Sequence, residues 1–280
     1  SILDLSDYGG LEQISAGYGH SCVQTDRSMV ICWGSMLPID QENQRNDFVA
    51  QEPKLIALPE PSKIISSGKN HACSLSHSGN VYCWNSLSSI SHNMFQVMGQ
   101  DGDDLGPVAI SQGGEILCVI SIDRYAHCSN LESSLIEDGQ IRLSRISTID
   151  SISSVSINSE LFCILRVNGD VHCTNTEDLQ FENSNLPRLD TEALLNFGDV
   201  RFSNATVISS GHSSICLVSV ENNAFCSDSS GEFESYTDSV ASAISTGSYG
   251  SCSIRLQSGN LVCDAISRPF REAIFPEKPI

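Results

Sequence analysis

The chain has 280 residues, 40% of them hydrophobic, and its 34 acidic against 15 basic side chains give a net charge of -19. That charge repels nucleic-acid phosphates and anionic membrane surfaces, so no nucleic-acid partner is expected. No apolar run approaches the roughly 20 residues that cross a bilayer and no charged-then-apolar leader opens the chain at Ser1, so a soluble chain without direct membrane insertion is expected.

Taken along the chain, the predicted elements are one hairpin repeated. Cys22 and Cys32, Cys73 and Cys83, Cys118 and Cys128, Cys163 and Cys173, and Cys216 and Cys226 each stand ten residues apart, and Cys252 and Cys263 stand eleven apart. First cysteines recur after 51, 45, 45, 53 and 36 residues, which points to a repeat architecture of six units. All 12 cysteines are used. An even number at strict spacing implies disulfides and an oxidising compartment. Zinc, the rival reading, asks for CxxC-type spacings, and the sequence contains none.

Aligned on the first cysteine, the repeats show what each position requires. Five residues earlier stand Gly17, Gly68, Gly113, Asn158, Gly211 and Gly247, a register that predicts a left-handed backbone at a turn entering a strand. Four residues before the second cysteine stand Ser28, Gly79, Arg124, Gly169, Asn222 and Gly259, so each cysteine pair brackets a tight β-hairpin. Ser28 and Arg124 break that rule, and their turns are expected to be of another type. The extra residue between Cys252 and Cys263 is assigned to a longer turn or a bulge over 257–260. Cysteines facing each other across a hairpin come within about 4.5–5.5 Å at Cβ, close enough to bridge after a small adjustment. Each closure should contribute about 2–3 kcal/mol.

A further strand precedes each hairpin, as over 63–66 and 207–209, and a fourth is expected in the linkers, as over 53–58. ILCVISI, LFCILRV, VYCW and VICW are apolar on both strand faces, so each small sheet must be covered on both sides. Sheets stacked face to face around an axis satisfy this, and a ring needs no terminal cap. The expectation is therefore an all-β, six-bladed propeller, in preference to seven blades, formed as a single domain over 1–280. Its blades would centre on hairpins 22–32, 73–83, 118–128, 163–173, 216–226 and 252–263, each the inner hairpin of its blade with one disulfide. A strand at 270–275 pairing with the blade begun by 11–16 would close the ring.

ISAGYGHSCVQTDRSMVICWGS and IISSGKNHACSLSHSGNVYCWN resemble the repeat of the regulator of chromosome condensation family, which reads approximately I-x-x-G-x-x-H-x-x-x-L-x-x-x-G-x-V-x-x-W-G. MGQDGDDLG at 98–106 is similar to that family's glycine-rich tail. The cysteine-paired form resembles secreted members, including plant Crinkly-type receptor ectodomains. His20 and His71 match the family histidine, replaced later by Ile116, Leu161, Ser214 and Gly250. Trp33 and Trp84 match its tryptophan, replaced by Ser129, Thr174, Ser227 and Asp264. The resemblance implies a propeller. The nucleotide-exchange and chromatin activities of nuclear members depend on basic surfaces and are not expected of this acidic chain.

Candidate sites are few. His20 and His71 read as satisfied core histidines rather than metal ligands, and His127 and His172, each before a second cysteine, read the same way. Asp101, Asp103 and Asp104 offer hard oxygens for calcium, but a solvated acidic turn is the preferred reading, since the glutamate that closes an EF-hand loop is missing. No metal or other cofactor is expected. HExxH, GxSxG and P-loop patterns are absent and no carboxylate pair stands out, so no catalytic residue is assigned. Asn204-Ala205-Thr206 is a glycosylation sequon, which agrees with secretion. The serine-rich 146–159 reads as an outer strand and loop rather than an O-glycosylated segment. The function expected is a secreted, non-catalytic propeller serving protein recognition or assembly, as a receptor-like ectodomain or an extracellular structural subunit that self-associates. The alternatives are a secreted inhibitor or carbohydrate-binding module, which the two Trp residues and 6% aromatic content disfavour, and a glycosidase-like hydrolase.

Overall fold

A hairpin of five-residue strands cannot cover its own two faces, and each described repeat adds a strand before the cysteine pair and, in four of them, another after it. The computed structural model describes residues 8–17, 19–34, 53–84, 94–99, 101–131, 140–146, 150–158, 161–176, 180–182, 186–188, 202–210, 215–227, 233–235, 240–246, 250–255 and 261–265. Among these residues no α-helix occurs. Contacts gather them into two units, Ser1–Thr148 with Gln180–Arg188, and Ile149–Leu179 with Leu189–Ile280.

In the first unit, one sheet holds β1 (Leu11–Ala16), β2 (His20–Thr25), β3 (Val30–Gly34) and β4 (Lys54–Ile56) in that order. The next holds β5 (Ser62–Ser67), β6 (Ala72–Ser76), β7 (Val81–Trp84) and β8 (Met94–Gly99), and a third holds β9 (Ala109–Gly113), β10 (Ile116–Ile120), β11 (Ala126–Asn130) and β12 (Gln140–Arg145). β8 and β12 pair in parallel, Gln96 opposite Gln140 and Val97 opposite Ile141, which fuses the outer edges of these two sheets. The second unit holds the sheets β13 (Ile152–Ile157), β14 (Leu161–Arg166) and β15 (Val171–Asn175), then, after a hairpin β16 (Gln180–Glu182) and β17 (Leu186–Arg188) that belongs with the first unit, β18 (Ala205–Ser210), β19 (Ile215–Ser219), β20 (Ala224–Ser227) and β21 (Phe233–Ser235), and finally β22 (Ala241–Thr246), β23 (Gly250–Arg255) and β24 (Leu261–Ala265).

The cysteine hairpin is the second and third strand of each sheet, not the innermost pair. The innermost strand is the one before it, because β1 lies beside β5, β5 beside β9, β13 beside β18 and β18 beside β22. The first sheet is complete with strands from 11–56, so it needs no borrowed strand, and 270–275 lie outside the described residues.

Cys22–Cys32, Cys73–Cys83, Cys118–Cys128, Cys163–Cys173 and Cys216–Cys226 are disulfides between directly opposed residues, with Cα atoms 4.0–4.2 Å apart. That is the close, non-hydrogen-bonded spacing of an antiparallel ladder. Cys252 and Cys263 are likewise register partners, and the extra residue falls between the paired Ile254 and Leu261. Four of these disulfides face the following sheet. Cys22, Cys32 and Val30 pack on Ile65, Ala72 and Trp84; Cys73 and Leu75 pack on Ile110 and Leu117. In the second unit Cys163 and Leu165 meet Ile208 and Leu217, and Cys216 and Val218 meet Ala241 and Ile244. The bridge is thus a core side chain as well as a staple.

Side chains also stitch neighbouring first strands together. Ser15 Oγ accepts from the Ser67 N–H at 2.8 Å and Ser66 Oγ from the Gln112 N–H at 2.9 Å; Ser156 Oγ accepts from Ser210 N–H at 2.8 Å and Ser209 Oγ from Thr246 N–H at 2.9 Å. All six repeats carry this serine seven residues before the first cysteine, Ser111 and Ser245 included. The Gln13 amide adds a two-way bond to the main chain of Ile65, 2.9 Å in each direction. A bulge recurs in β1, β5, β13, β18 and β22 but not in β9. In three of these the bulged hydroxyl donates to a carbonyl of the next strand: Ser153 to Leu165, Thr206 to Val218 and Ser242 to Ile254.

Two expectations are corrected here. Gly17, Gly68, Gly113 and Asn158 do not adopt a left-handed backbone. Glycine is required instead by close approach: a methyl on Gly17 would run into the Gly68 carbonyl oxygen and the His20 ring, and one on Gly68 would lie 2.9 Å from the Gly114 oxygen. The five described hairpin tips, conversely, are of one kind, and Gly259 lies outside the described residues. Ser28, Gly79, Arg124, Gly169 and Asn222 have φ of 59°, 93°, 67°, 89° and 64°, so Ser28 and Arg124 adopt the common conformation rather than another turn type. In each, the left-handed residue donates its N–H three residues back, as Arg124 to Ser121 O at 2.9 Å, the pattern of a three-residue loop ending in a bulge.

These two registers make opposite predictions for single substitutions. Gly17→Ala should lower stability by about 2 kcal/mol or more, since backbone must move. Arg124→Gly, at an exposed tip, should raise it by about 0.5–1 kcal/mol by relieving the left-handed side chain. Thermal denaturation of the two variants beside the parent measures both.

Candidate functional site

In the first unit, polar groups converge where first strands hand over to second strands. His20 opens β2 and is 3% exposed. Its ring stands against Gly17, where only hydrogen leaves room. In the next sheet, Lys69, Asn70 and His71 fill the corresponding turn, and in the third Glu115 fills the turn between β9 and β10. Lys69 Nζ lies 3.1 Å from Glu115 Oε1 and His71 Nδ1 lies 3.7 Å from Glu115 Oε2. Asn70 Nδ2 donates to Glu115 Oε1 at 3.5 Å. The main chain closes the same junction, with the Lys69 N–H donating to the Gly114 carbonyl at 2.7 Å.

Neither ring nitrogen of His20 makes a well-aligned hydrogen bond among the described residues, and its polar neighbour is the His71 main chain. Burial comes first in pushing its pKa down to about 4; hydrogen bonding to the His71 main chain opposes this and the His71 ring adds to it. His20 is therefore neutral at physiological pH. His71 is not a lone core group but part of the Glu115 pair. His127 is held below the ordinary histidine range by burial, with Arg145 reinforcing and Asp123 and Asp103 opposing. Lys69 and Glu115 left no trace in the repeat alignment, since Glu115 corresponds to Gly19, Asn70, Glu160, Ser213 and Tyr249 in the other repeats and Lys69 to Tyr18, Gly114, Ser159, His212 and Ser248. The serine register was visible in all six repeats and simply looked like ordinary strand polarity.

The acidic turn at Asp101, Asp103 and Asp104 is closed by its own groups. Gly99 N–H donates to Asp103 O at 2.9 Å, Gly102 N–H to Gly99 O at 3.0 Å and Gly106 N–H to Asp104 Oδ1 at 2.9 Å. The Arg142 guanidinium lies over the turn, Nη1 3.5 Å from Gly99 O. No group of three or more metal-ligating side chains occurs among the described residues. Asn204 is exposed, with φ of 68°, between the Gly169 tip and Val220, whose N–H donates to the Asn204 carbonyl at 2.8 Å. Thr206, the sequon hydroxyl, is also the bulge residue that donates to Val218 O at 3.1 Å. The Ser28 hydroxyl meets His77 Nε2 at 3.1 Å, an exposed contact between two tips with no carboxylate seen to orient the imidazole among the described residues.

No family's sequence profile matches the chain, and no curated protein matches it. Solved structures do. Prp20p from Saccharomyces cerevisiae superposes with a TM-score of 0.64 at 14% identity, over 91% of this chain and 71% of that one. The fold is a β-propeller. The entire ectodomain of the Physcomitrella patens receptor kinase CR4 gives a TM-score of 0.59 at 14% identity over 95% of this chain and 66% of its own. The CRINKLY WD40 ectodomain of the Arabidopsis thaliana receptor kinase ACR4 gives 0.53 at 19% identity over 91% and 85%. The sheets described above are the blades of this propeller, and the similarity to chromosome-condensation-regulator and Crinkly propellers expected from the first two repeats is found in three dimensions.

With Arg142 over the acidic turn and backbone donors closing it, isothermal titration with calcium should give no binding heat at millimolar ion. A saturable exotherm abolished by Asp103→Asn would reverse that reading.

Proposed function

We propose that the chain is a secreted, non-catalytic propeller of six blades in a single domain, which recognises or assembles with other proteins. The observation that carries this is the contrast between hairpin tips of one shape and connections that differ from repeat to repeat. One end of the sheets bears three-residue tips of a fixed shape, with the connections 57–61 and 100–108 that lead from a fourth strand to the next first strand. The sequence between third and fourth strands, 35–53, 85–93 and 131–139, differs in length and composition from repeat to repeat, and the turns between first and second strands differ too, Lys69, His71 and Glu115 among them. Sequence that varies from repeat to repeat on a uniform scaffold is the arrangement of a recognition surface.

Secretion is supported by five disulfides, which persist in oxidising compartments. Cys252 and Cys263 supply the sixth, and exposed Asn204 carries an N-linked glycan. The net charge of -19 favours a partner with a basic surface and disfavours nucleic acid. Protein recognition is supported by the similar solved propellers: Prp20p is described for its binding to Gsp1p and histones, and two others are receptor-kinase ectodomains. Self-association into an extracellular assembly is the specific form in which the partner is a second copy. No cofactor is required.

The test is a photo-crosslinking residue placed at position 69 and, in a second variant, at position 124 on a tip, each presented to the native secretome. Covalent protein adducts should form from position 69 and not from 124; adducts from 124 alone, or from neither, would refute the assignment. Light scattering over a hundredfold concentration range distinguishes a second copy from a foreign partner.

A further inference from the structure

We propose that the sugar on Asn204 is attached only while the blade of Cys216 and Cys226 is still open, because the closed blade holds the acceptor triplet fast. The inference rests on the glycan assigned above and on no partner. Transfer engages two groups of the triplet at once, the Asn204 amide nitrogen and the Thr206 hydroxyl by which an Asn-x-Thr acceptor is recognised. In the step, Asn204 Nδ2 bonds to the anomeric carbon of a lipid-linked oligosaccharyl diphosphate, the bond from that carbon to the diphosphate oxygen breaks, and the amide releases one proton as the lipid diphosphate departs. An enzyme cleft that grips both groups needs the three residues as a free length of chain.

The closed blade offers none of that freedom. Thr206 is the bulged residue of β18, and its hydroxyl donates to the Val218 carbonyl at 3.1 Å and lies 3.5 Å from that of Ser219. Ala205 is 5% exposed, pairs with Ser219, and gives its N–H at 3.0 Å to the carbonyl of Gly169 on the tip between β14 and β15. Asn204 is left-handed, with φ of 68°; its carbonyl accepts from the Val220 N–H at 2.8 Å, and a methyl on Gly169 would lie 2.8 Å from its Cα. Each residue of the triplet is thus tied to a neighbouring strand or tip. Presenting it to an enzyme undoes the bulge, the first pair of the β18–β19 ladder and an inter-blade bond together, which is a cooperative local opening rather than the swing of one loop. Asn204 itself is exposed, so a sugar already in place does not oppose closure. Chain order sets the interval. Val218 stands 12 residues after Thr206, and the bridge that pins β19 to β20 is complete only when Cys226 has followed, so transfer and strand closure compete within one short stretch of synthesis.

The test compares the full chain, made without sugar and folded with its disulfides, with the same chain reduced and alkylated. Each is incubated with a purified oligosaccharyltransferase and a lipid-linked oligosaccharide, and mass spectrometry of the peptide bearing Asn204 counts the sugar. The alkylated chain should be modified at least about tenfold faster than the folded one. A chain carrying Cys216→Ser and Cys226→Ser, with its other bridges intact, should fall between the two, because only the blade that holds the triplet is loosened. Near-ultraviolet circular dichroism identifies a serine variant that has not folded, in which case the first comparison decides. Equal rates in the folded and alkylated chains, or a folded serine variant as slow as the parent, would overturn the ordering and leave the glycan standing. Modification of neither form would overturn the glycan and the ordering with it. No arm involves position 69, so this inference and the crosslinking result fail independently.

Discussion

The first strands of neighbouring blades run so close together that main chain meets main chain. From this constraint the residue requirements of the whole repeat follow. At the tightest point any side chain collides, and Gly17 and Gly68 stand there. Two residues away a serine hydroxyl is short enough to accept from the adjacent strand without forcing it outward, and Ser15, Ser66, Ser156 and Ser209 do so. One residue before the serine, a β-branched side chain reaches the preceding blade, as Ile65 does against Cys22 and Cys32. Farther from this edge the gap widens, and larger groups such as Trp84, Leu117 and Leu143 fill it.

The cross-strand disulfide belongs to the same economy of space. A blade of three or four short strands cannot hold a core of its own, and a sulfur pair occupies a modest, well-defined volume while fixing the register of the two central strands. Polar inter-blade bonds from Gln13 and Gln24 then satisfy main-chain groups of the neighbouring first strand, Gln24 donating to Ser62 O at 3.0 Å. With the interior settled by sulfur, serine and small apolar groups, the acidic surplus is free to lie outside, and chemical individuality is confined to turns such as 69–71 and 114–115.

The fold was legible because its determinants recur. Cysteine spacing located the central hairpin of each repeat, though not the added hairpin of β16 and β17, and apolar character on both faces of VYCW and LFCILRV required stacked sheets. What misled was residue identity read without its neighbours. Glycine was taken for left-handed geometry at Gly17 and Gly68, where the reason lies in another blade, and Arg124 was denied a conformation that its exposed tip tolerates. The junction of Lys69, His71 and Glu115 was illegible for a different reason. Its members come from different repeats, so no single register displays them, and their proximity exists only after the blades stack. The position of the hairpin within the blade was also misjudged, because strand order cannot be read from a pattern that is identical on both sides of the turn.

The parallel pairing of β8 with β12 has an evolutionary consequence. Repeats of this kind multiply by copying single modules, and a module is portable when its borders carry only side-chain contacts. Here two consecutive modules share main-chain hydrogen bonds along their rims, so excising either one strands the other's edge. Loss of one without the other would leave unpaired main-chain groups on a bare rim, so the two modules are physically a doublet.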